Sequence, residues 1–393
     1  MTRRFVLLTL LLSLPARADW QFGPAVDVSG PRVAYHHIEA SGRQALAVSA
    51  GAVAVAWEDD RDGTPRCRVA IRAGEGDPFR EHAFGQGECY APGLAALADG
   101  RFAAIWEDEA GVGVAVVGAG GPGPVARLAP TGGQGVLAWH PRHGLMAAWS
   151  QPDGRWRRMQ LANLGLEGDP PVPGPARPVD PEPAKDDQLY PALTASPAGY
   201  TLAWEDRRLG HTVIFASRYT GDGNWTPPRR ISQNQTGKAQ GTDLGRGTGA
   251  MRPALTAYGN RLAAVWLDKR DFLSGYDVYV ATAADADGQF GRNAKAQDSF
   301  GDAIAQWHPA TAGNARGDLA VVWDDDRDGN PDIWLTRPDG DGWTDNIAAA
   351  ADGNPQRDPA LALDETGNLH LAWIEKQPDG RAGIRYRIGR PLP

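Results

Sequence analysis

Residues 323–334, WDDDRDGNPDIW, carry five acidic side chains within nine positions, between two tryptophans. The pattern D-x-D-x-D-G-x-x-D is formed by Asp324, Asp326, Asp328 and Asp332. Hard oxygen ligands at this spacing, with a glycine for the sharp turn, suit calcium. This segment therefore predicts one candidate cofactor, calcium.

A related acidic turn follows a tryptophan elsewhere in the chain, and this favours an architectural role instead. The acids at or near the shared position are Asp60, Asp206, Asp268 and Asp326, and the basic residues after them are Arg61, Arg207 or Arg208, Arg270 and Arg327. In this interpretation the aspartate caps turn amides, the arginine pairs with a nearby acid, and the tryptophan packs between neighbouring units.

A second set of chemically capable side chains stands beside the prolines that open short apolar strands. Its members are Tyr90, Tyr190, Arg252, Trp307, His308, Arg357 and Asp358, joined by His37 and Glu39 from an early loop. If the fold gathers them into a ring, they could hold a polar ligand of anionic or sugar character. The alternative is a set of ordinary rim residues around a water-filled channel.

Positioning such a ring requires a repeated scaffold, and the sequence contains one. Seven similar segments end in Trp57, Trp106, Trp149, Trp204, Trp266, Trp323 and Trp373, at spacings of 43 to 62 residues. Each has a short apolar strand before the tryptophan run and another after the acidic turn. This is the length and pattern of a four-stranded propeller blade. Loops before the first strand and after the second then share one face, where function usually lies.

The ends of the chain complement each other in this scheme. The last repeat stops without a fourth strand, and DWQFGPAVDVS (19–29) resembles the fourth strands of the other repeats. The prediction is one all-β domain over residues 19–393, a seven-bladed β-propeller closed by its N-terminal strand. Six blades remain the alternative, should the third repeat be degenerate.

Residues 1–18 have the features of a cleaved signal peptide: Arg3 and Arg4, a short apolar run, and Ala16-Arg17-Ala18. Without them the chain has 37 basic and 48 acidic residues, a formal charge of −11. This argues against nucleic acid as a partner. We expect a monomer in the periplasm or outside the cell, without a membrane span. Cys67 and Cys89 would form a disulfide there, with two free thiols as the alternative.

The W-x-D-x-R-x-G-x-x-D-I-W pattern, with first strands such as YPALTA and RPALTA, resembles the repeats of bacterial secreted β-propellers in the sialidase-like, BNR-repeat group. Degenerate echoes of that group's Asp-boxes occur in TGDGNW (220–225) and DGDGW (339–343). The resemblance implies the propeller fold. The three arginines, tyrosine nucleophile and acid/base aspartate that sialidases use have no assignable counterparts.

These observations give two functional hypotheses. The favoured one is a non-catalytic exported propeller that binds a partner protein, a glycan or a small polar ligand at its loop-rich face. The alternative is a glycan-active hydrolase or lyase of sialidase-like type. In the alternative, Asp358 and Glu39 would supply the carboxylates, and Arg252 or Arg357 would anchor an anion.

Overall fold

The computed structural model describes residues 20–38, 42, 44–183, 185–221, 223–233, 249–270, 275–285, 288–298, 301 and 304–392. These residues form seven antiparallel sheets of four or five strands, arranged as a seven-bladed β-propeller. They contain no α-helix, and hence no helix suited to crossing a membrane. The proposed signal peptide lies outside the described residues.

Each blade is a meander whose strands we call A to D from the channel outward. Blade one comprises His36–His37, Leu46–Ser49, Ala52–Asp59, Arg66–Arg72 and Arg80–Phe84. Blade two comprises Cys89–Ala96, Phe102–Asp108, Gly111–Gly118, Gly121–Pro122 and Ala126–Ala129. Blade three comprises Gly133–His140, Gly144–Asp153, Trp156–Gly165, Val172–Pro173 and Arg177–Pro178. Blade four comprises Gln188–Ser196, Gly199–Asp206, Val213–Gly221, Asn224–Trp225 and Arg229–Arg230.

Blade five comprises Ala250–Tyr258, Arg261–Asp268, Asp277–Ala284 and Ala294–Lys295. Blade six comprises Trp307–Gly313, Leu319–Asp325, Asp332–Thr336 and Ile347–Ala350, with a small hairpin of Pro338–Asp339 and Gly342–Trp343. Blade seven comprises Gln356–Leu363, Leu369–Lys376, Ala382–Pro391, Trp20–Phe22 and Val26–Asp27.

The N-terminal strand closes the propeller, as the sequence predicts. Trp20 pairs with Pro391, and Val26 pairs with Tyr386, so the start of the chain supplies strand D of blade seven. Ring closure of this kind leaves no long exposed sheet edge. Blade three is complete, so the six-bladed alternative is wrong.

The seven repeat tryptophans form the packing layer between blades. All seven are at most 1% exposed. Trp57, for example, packs in the cluster shared by blades seven and one, whereas Ala54 and Ala56 on the same strand pack toward blade two. Side chains along a strand alternate between its two faces. Strand B therefore turns its tryptophan toward the preceding blade and the next residue toward the following blade.

The acidic turn serves this architecture, but at a different residue from the one predicted in blades one and six. The tryptophan indole N–H donates to the acid two positions later, which is Asp59 or Asp325 rather than Asp60 or Asp326. An arginine two residues further on then binds the same carboxylate. These pairs are Asp59 with Arg61, Asp206 with Arg208, Asp268 with Arg270 and Asp325 with Arg327. Of the two arginines considered in blade four, it is Arg208 that forms the pair.

Cys67 and Cys89 form the predicted disulfide. It joins strand C of blade one to the start of strand A of blade two, and both residues are fully buried. The alternative of two free thiols is therefore wrong.

Replacing both cysteines by serine should lower the free energy of unfolding by about 3 kcal/mol, because the link constrains the unfolded chain across a 22-residue separation. Urea unfolding of the double variant measures this loss. The double variant avoids leaving one buried free thiol. A loss below about 1 kcal/mol would contradict the expected contribution.

Candidate functional site

The channel mouth is built from one repeated backbone irregularity. In blades two to seven, strand A bulges where it pairs with strand B, and one residue of each bulge has a positive φ of 48° to 57°. These six residues are Ala91, Gln134, Tyr190, Arg252, His308 and Asp358. Such backbone angles are uncommon outside glycine and cost about 1–3 kcal/mol each. They persist only where surrounding contacts hold them.

Side chains of the preceding blade supply those contacts. The residue after the repeat tryptophan faces the next blade, and in several blades it accepts a hydrogen bond from the bulged amide. Glu58 accepts from the Ala91 N–H at 2.7 Å, and Glu205 accepts from the Arg252 N–H at 2.7 Å. Asp324 accepts from the Asp358 N–H at 3.1 Å. The irregular backbone of blades two, five and seven is thereby tied to an acid of the preceding blade.

Blade three departs from this rule because its tryptophan is followed by Ser150. Here the bulged residue of blade three itself substitutes for the acid: the Gln134 side-chain oxygen accepts from the Tyr190 N–H at 2.8 Å. Gln134 is followed by glycine, not by proline.

In blade one a longer interruption of the pairing replaces the bulge. His37 pairs with Glu58, and Leu46 pairs with Val55. The segment from His37 to Leu46 is therefore much longer than the strand segment from Val55 to Glu58 that it faces. Gly42 in this interval has φ +72°, and an added Cβ there would overlap the carbonyl oxygen of Pro191 across the channel. Only about 20 Å³ of space remains beside it, lined by the A strands. The channel is therefore nearly filled at this level, below the residues of the mouth.

Two carboxylates and an imidazole meet on blades six and seven. His308 Nδ1 lies 2.7 Å from Asp324 Oδ1 and 3.0 Å from Asp358 Oδ1. Within the described residues, this is the one group of three potential metal ligands whose ligand atoms lie within 4.8 Å of one another. The His308 and Asp358 side chains are 31% and 11% exposed, whereas Asp324 is 3% exposed. A molecule at the channel mouth could thus reach His308 and Asp358, with Asp324 behind them.

The cluster holds a proton tightly. Burial disfavours the imidazolium, but the facing carboxylates of Asp324 and Asp358 outweigh burial and raise the pKa of His308 to about 11. Burial raises the pKa of Asp324 above its usual range. Because the imidazole faces two carboxylates, we place the proton on His308.

This assignment has a consequence for the pH dependence of stability. A pKa raised on folding gives stability that is complete below the unfolded value of 6.5 and is lost as pH rises toward about 11. Between about pH 7 and 10 the Tm of the wild type should therefore fall more steeply than that of His308→Gln. Thermal unfolding of both proteins across this range is the measurement. Parallel curves would mean that His308 is neutral in the folded protein.

Next to this cluster, blades four and five present a phenol and a guanidinium. The Arg252 guanidinium carbon lies 3.6 Å from the centre of the Tyr190 ring, a close cation–π contact. Tyr190, Arg252, His308 and Asp358 thus occupy equivalent positions on four consecutive blades. Sequence reasoning places all four at the channel mouth.

The other predicted ligand-binding residues lie elsewhere on the rim. His37 Nδ1 is 3.0 Å from Glu58 Oε1, and the Tyr90 hydroxyl donates to Glu88 at 2.6 Å. That hydrogen bond is the main reason that the pKa of Tyr90 rises to about 12. Trp307 and Arg357 are exposed at the starts of their A strands. Glu39 lies outside the described residues.

The four aspartates of the calcium pattern do not converge as one ligand set. Asp324 points into the channel-mouth cluster, whereas Asp326 and Asp328 are exposed on the turn. Asp332 is buried beside Asn330, and burial raises its pKa to about 6. The calcium hypothesis therefore depends on Asp326, Asp328 and Asp332, and it stays a prediction.

Glu58, Glu205 and Gln134 are site residues that the sequence reasoning missed. A signal for the two glutamates was present: they directly follow the repeat tryptophan, where strand alternation turns a side chain toward the next blade. Gln134 lacks the following proline that marks the other bulges.

Comparison with solved structures identifies propellers of the same shape. An α-L-arabinanase of Penicillium chrysogenum has 11% identity over 93% of this chain and 98% of its own, with a TM-score of 0.51. The GH93 α-L-arabinofuranosidase of Fusarium graminearum has 11% identity over 93% and 97%, at 0.52. The polysaccharide lyase Uly1 has 10% identity over 89% and 90%, at 0.56. No family model and no curated protein sequence matches the chain.

At this identity the likeness establishes the fold alone. It nevertheless overturns the preference for a non-catalytic binding protein. The neighbours include two arabinan-type glycosidases and a polysaccharide lyase, so the glycan-active alternative is the better supported of the two hypotheses.

Proposed function

We propose that this protein cleaves glycosidic bonds at the channel mouth, and that it does so by hydrolysis. The observation that carries the proposal is the Asp324–His308–Asp358 cluster, which lies at the channel mouth on the loop-rich face. Glycosidases place two carboxylates about 5–10 Å apart around the bond that they break. The ligand oxygens of Asp324 and Asp358 lie within 4.8 Å of each other, closer than that spacing, so we assign the reacting role to Asp358 alone.

Their exposures assign different roles to the two carboxylates. Asp358 is the carboxylate that a bound sugar can touch, and it transfers a proton to or from the reacting oxygen. Asp324 is a positioning residue, because it holds both the His308 ring and the Asp358 amide from behind. The His308 imidazolium balances the pair and offers its remaining N–H to a sugar hydroxyl. Arg252 supplies a cation beside the same position.

A second reaction class has its own supporting observation. The Tyr190 phenol beneath the Arg252 guanidinium is a pair suited to elimination from a uronic acid. In such a reaction the arginine would neutralise the sugar carboxylate, the ionised phenolate of the tyrosine would take the proton from the carbon beside it, and the glycosidic oxygen would leave from the next carbon as the double bond forms. Elimination leaves an unsaturated sugar and consumes no water, whereas hydrolysis adds one water across the bond. The products therefore distinguish the two reactions.

The test is incubation of the purified mature protein with arabinan, its aryl glycosides, and uronate-containing polysaccharides. New reducing ends without ultraviolet-absorbing products indicate hydrolysis. Reducing ends that appear together with ultraviolet absorbance indicate elimination. Cleavage that Asp358→Asn leaves unchanged, or no cleavage of any of these glycans, would overturn the proposed function.

We also propose that the protein is exported to the periplasm or beyond and acts there as a monomer, in line with the secreted propellers whose repeats it resembles. The buried Cys67–Cys89 disulfide supports an oxidising location. The net acidic charge supports partners other than nucleic acid.

A further inference from the structure

Two exposed aromatic rings lie on the same face of the propeller as the cluster, one on blade six and one beside blade one. Among the described residues, Tyr35 and Trp307 are the aromatic members of the exposed large hydrophobic side chains, at 64% and 43% exposure. Trp307 directly precedes His308 on blade six. Tyr35 lies beside His37 on blade one, with ring centres 6.2 Å apart. Blade seven, which carries Asp358, stands between these two blades.

The exposure of Trp307 is unusual for an apolar residue at this position in the repeat. The equivalent residues of blades four and five, Leu189 and Met251, are half-buried, and Met251 packs against the core between blades five and six. Exposing a large apolar surface to water costs about 25 cal/mol per Å². A ring left open beside a candidate site is the kind of surface that a ligand covers.

Hydrogen bonds fix the backbone beside each of the two rings. The Gln306 N–H donates to the Tyr276 carbonyl at 2.8 Å, and the Tyr276 ring then contacts Trp307 at 5.5 Å between centres. The Tyr35 N–H donates to Asp60 Oδ1 at 2.7 Å, and the Asp60 N–H donates back to the Tyr35 carbonyl. A fixed backbone beside each ring reduces the conformational entropy that is lost on binding, which suits the rings as platforms.

We propose that Trp307 and Tyr35 are stacking platforms for sugar units on opposite sides of the bond that is cleaved. The C–H face of a sugar ring is apolar and covers an aromatic face, while its hydroxyl groups stay in water. A glycan bound to both platforms crosses blade seven and passes Asp358. This inference rests on the proposed function and adds that the substrate is an oligosaccharide or polysaccharide chain bound internally.

The test uses the Asp358→Asn protein, so that binding is measured without turnover. The probes are arabino-oligosaccharides and uronate-containing oligosaccharides of graded length, and calorimetry gives their affinity. For one of these series we expect affinity to increase with chain length. Trp307→Ala and Tyr35→Ala should each weaken binding of the long members roughly tenfold, and should leave the monosaccharide unchanged. Trp307→Phe should restore most of the loss.

Val33→Ala is the matched control, because Val33 is an exposed apolar residue of the Tyr35 segment. It should bind every length as the parent does. The proposal is overturned if neither aromatic variant changes the dependence on length, or if no length of either series binds. The proposed function fails separately, when wild-type protein cleaves none of the glycans although it binds them.

Discussion

Replacing Asp358 with asparagine is expected to reduce kcat/KM for glycan cleavage by about 10²–10⁴-fold, the usual contribution of a proton-transferring group. The amide would keep the shape of the side chain but could neither accept nor release a proton. Asparagine also tolerates the left-handed backbone, φ +52°, that this position requires. The Tm should therefore stay within about 3 °C of the wild type.

Asp379→Asn is the control for this variant. Asp379 lies in the turn between strands B and C of blade seven, on the same face, and pairs with Arg381 at the exposed surface. Its replacement should leave cleavage unchanged. Equal losses in both variants would point to a general effect of charge on this acidic protein. Full activity in Asp358→Asn would move the reaction away from the cluster.

The position of Asp358 could be predicted from the sequence because it directly precedes a proline of strand A. A proline at the equivalent position follows each of Tyr190, Arg252 and His308, and these three residues lie at the channel mouth with Asp358. The left-handed bulge could not be predicted from local sequence. At Tyr190, Arg252 and Asp358 it depends on a hydrogen bond that the backbone amide donates to a side chain of the preceding blade. Local sequence specifies the strand, whereas a contact between blades specifies the bulge.

The acidic turn shows the limit of pattern reading more sharply. Along a strand, a shift of one residue moves a side chain to the opposite face. Sequence comparison placed the architectural acid of blade six at Asp326, one residue beyond the true position. The structure gives that role to Asp325 and turns Asp324 into the channel. Three adjacent aspartates therefore have three different environments, which composition alone cannot separate.

These environments predict very different losses of folding stability for substitutions at neighbouring positions. Asp325 is buried and accepts hydrogen bonds from the Trp323 indole at 2.9 Å and from Arg327 Nη2 at 2.6 Å. Asp325→Ala would leave the Trp323 indole N–H without its acceptor and would leave the buried Arg327 with Asp298 as its remaining acidic partner. Breaking a buried pair in this way costs about 3–5 kcal/mol. Asp326 is exposed, so Asp326→Ala should change stability by no more than about 0.5 kcal/mol.

Urea unfolding of both variants tests this difference between adjacent carboxylates. Asp325→Asn should fall between them, because the amide oxygen can still accept from Trp323 while the charge that pairs with Arg327 is lost. Similar losses in Asp325→Ala and Asp326→Ala would reject the architectural role. The same proteins also test the calcium hypothesis, since a bound ion raises the Tm of the folded state. A calcium-dependent increase that Asp326→Ala removes would show that the exposed part of the turn binds metal while Asp325 holds the blade.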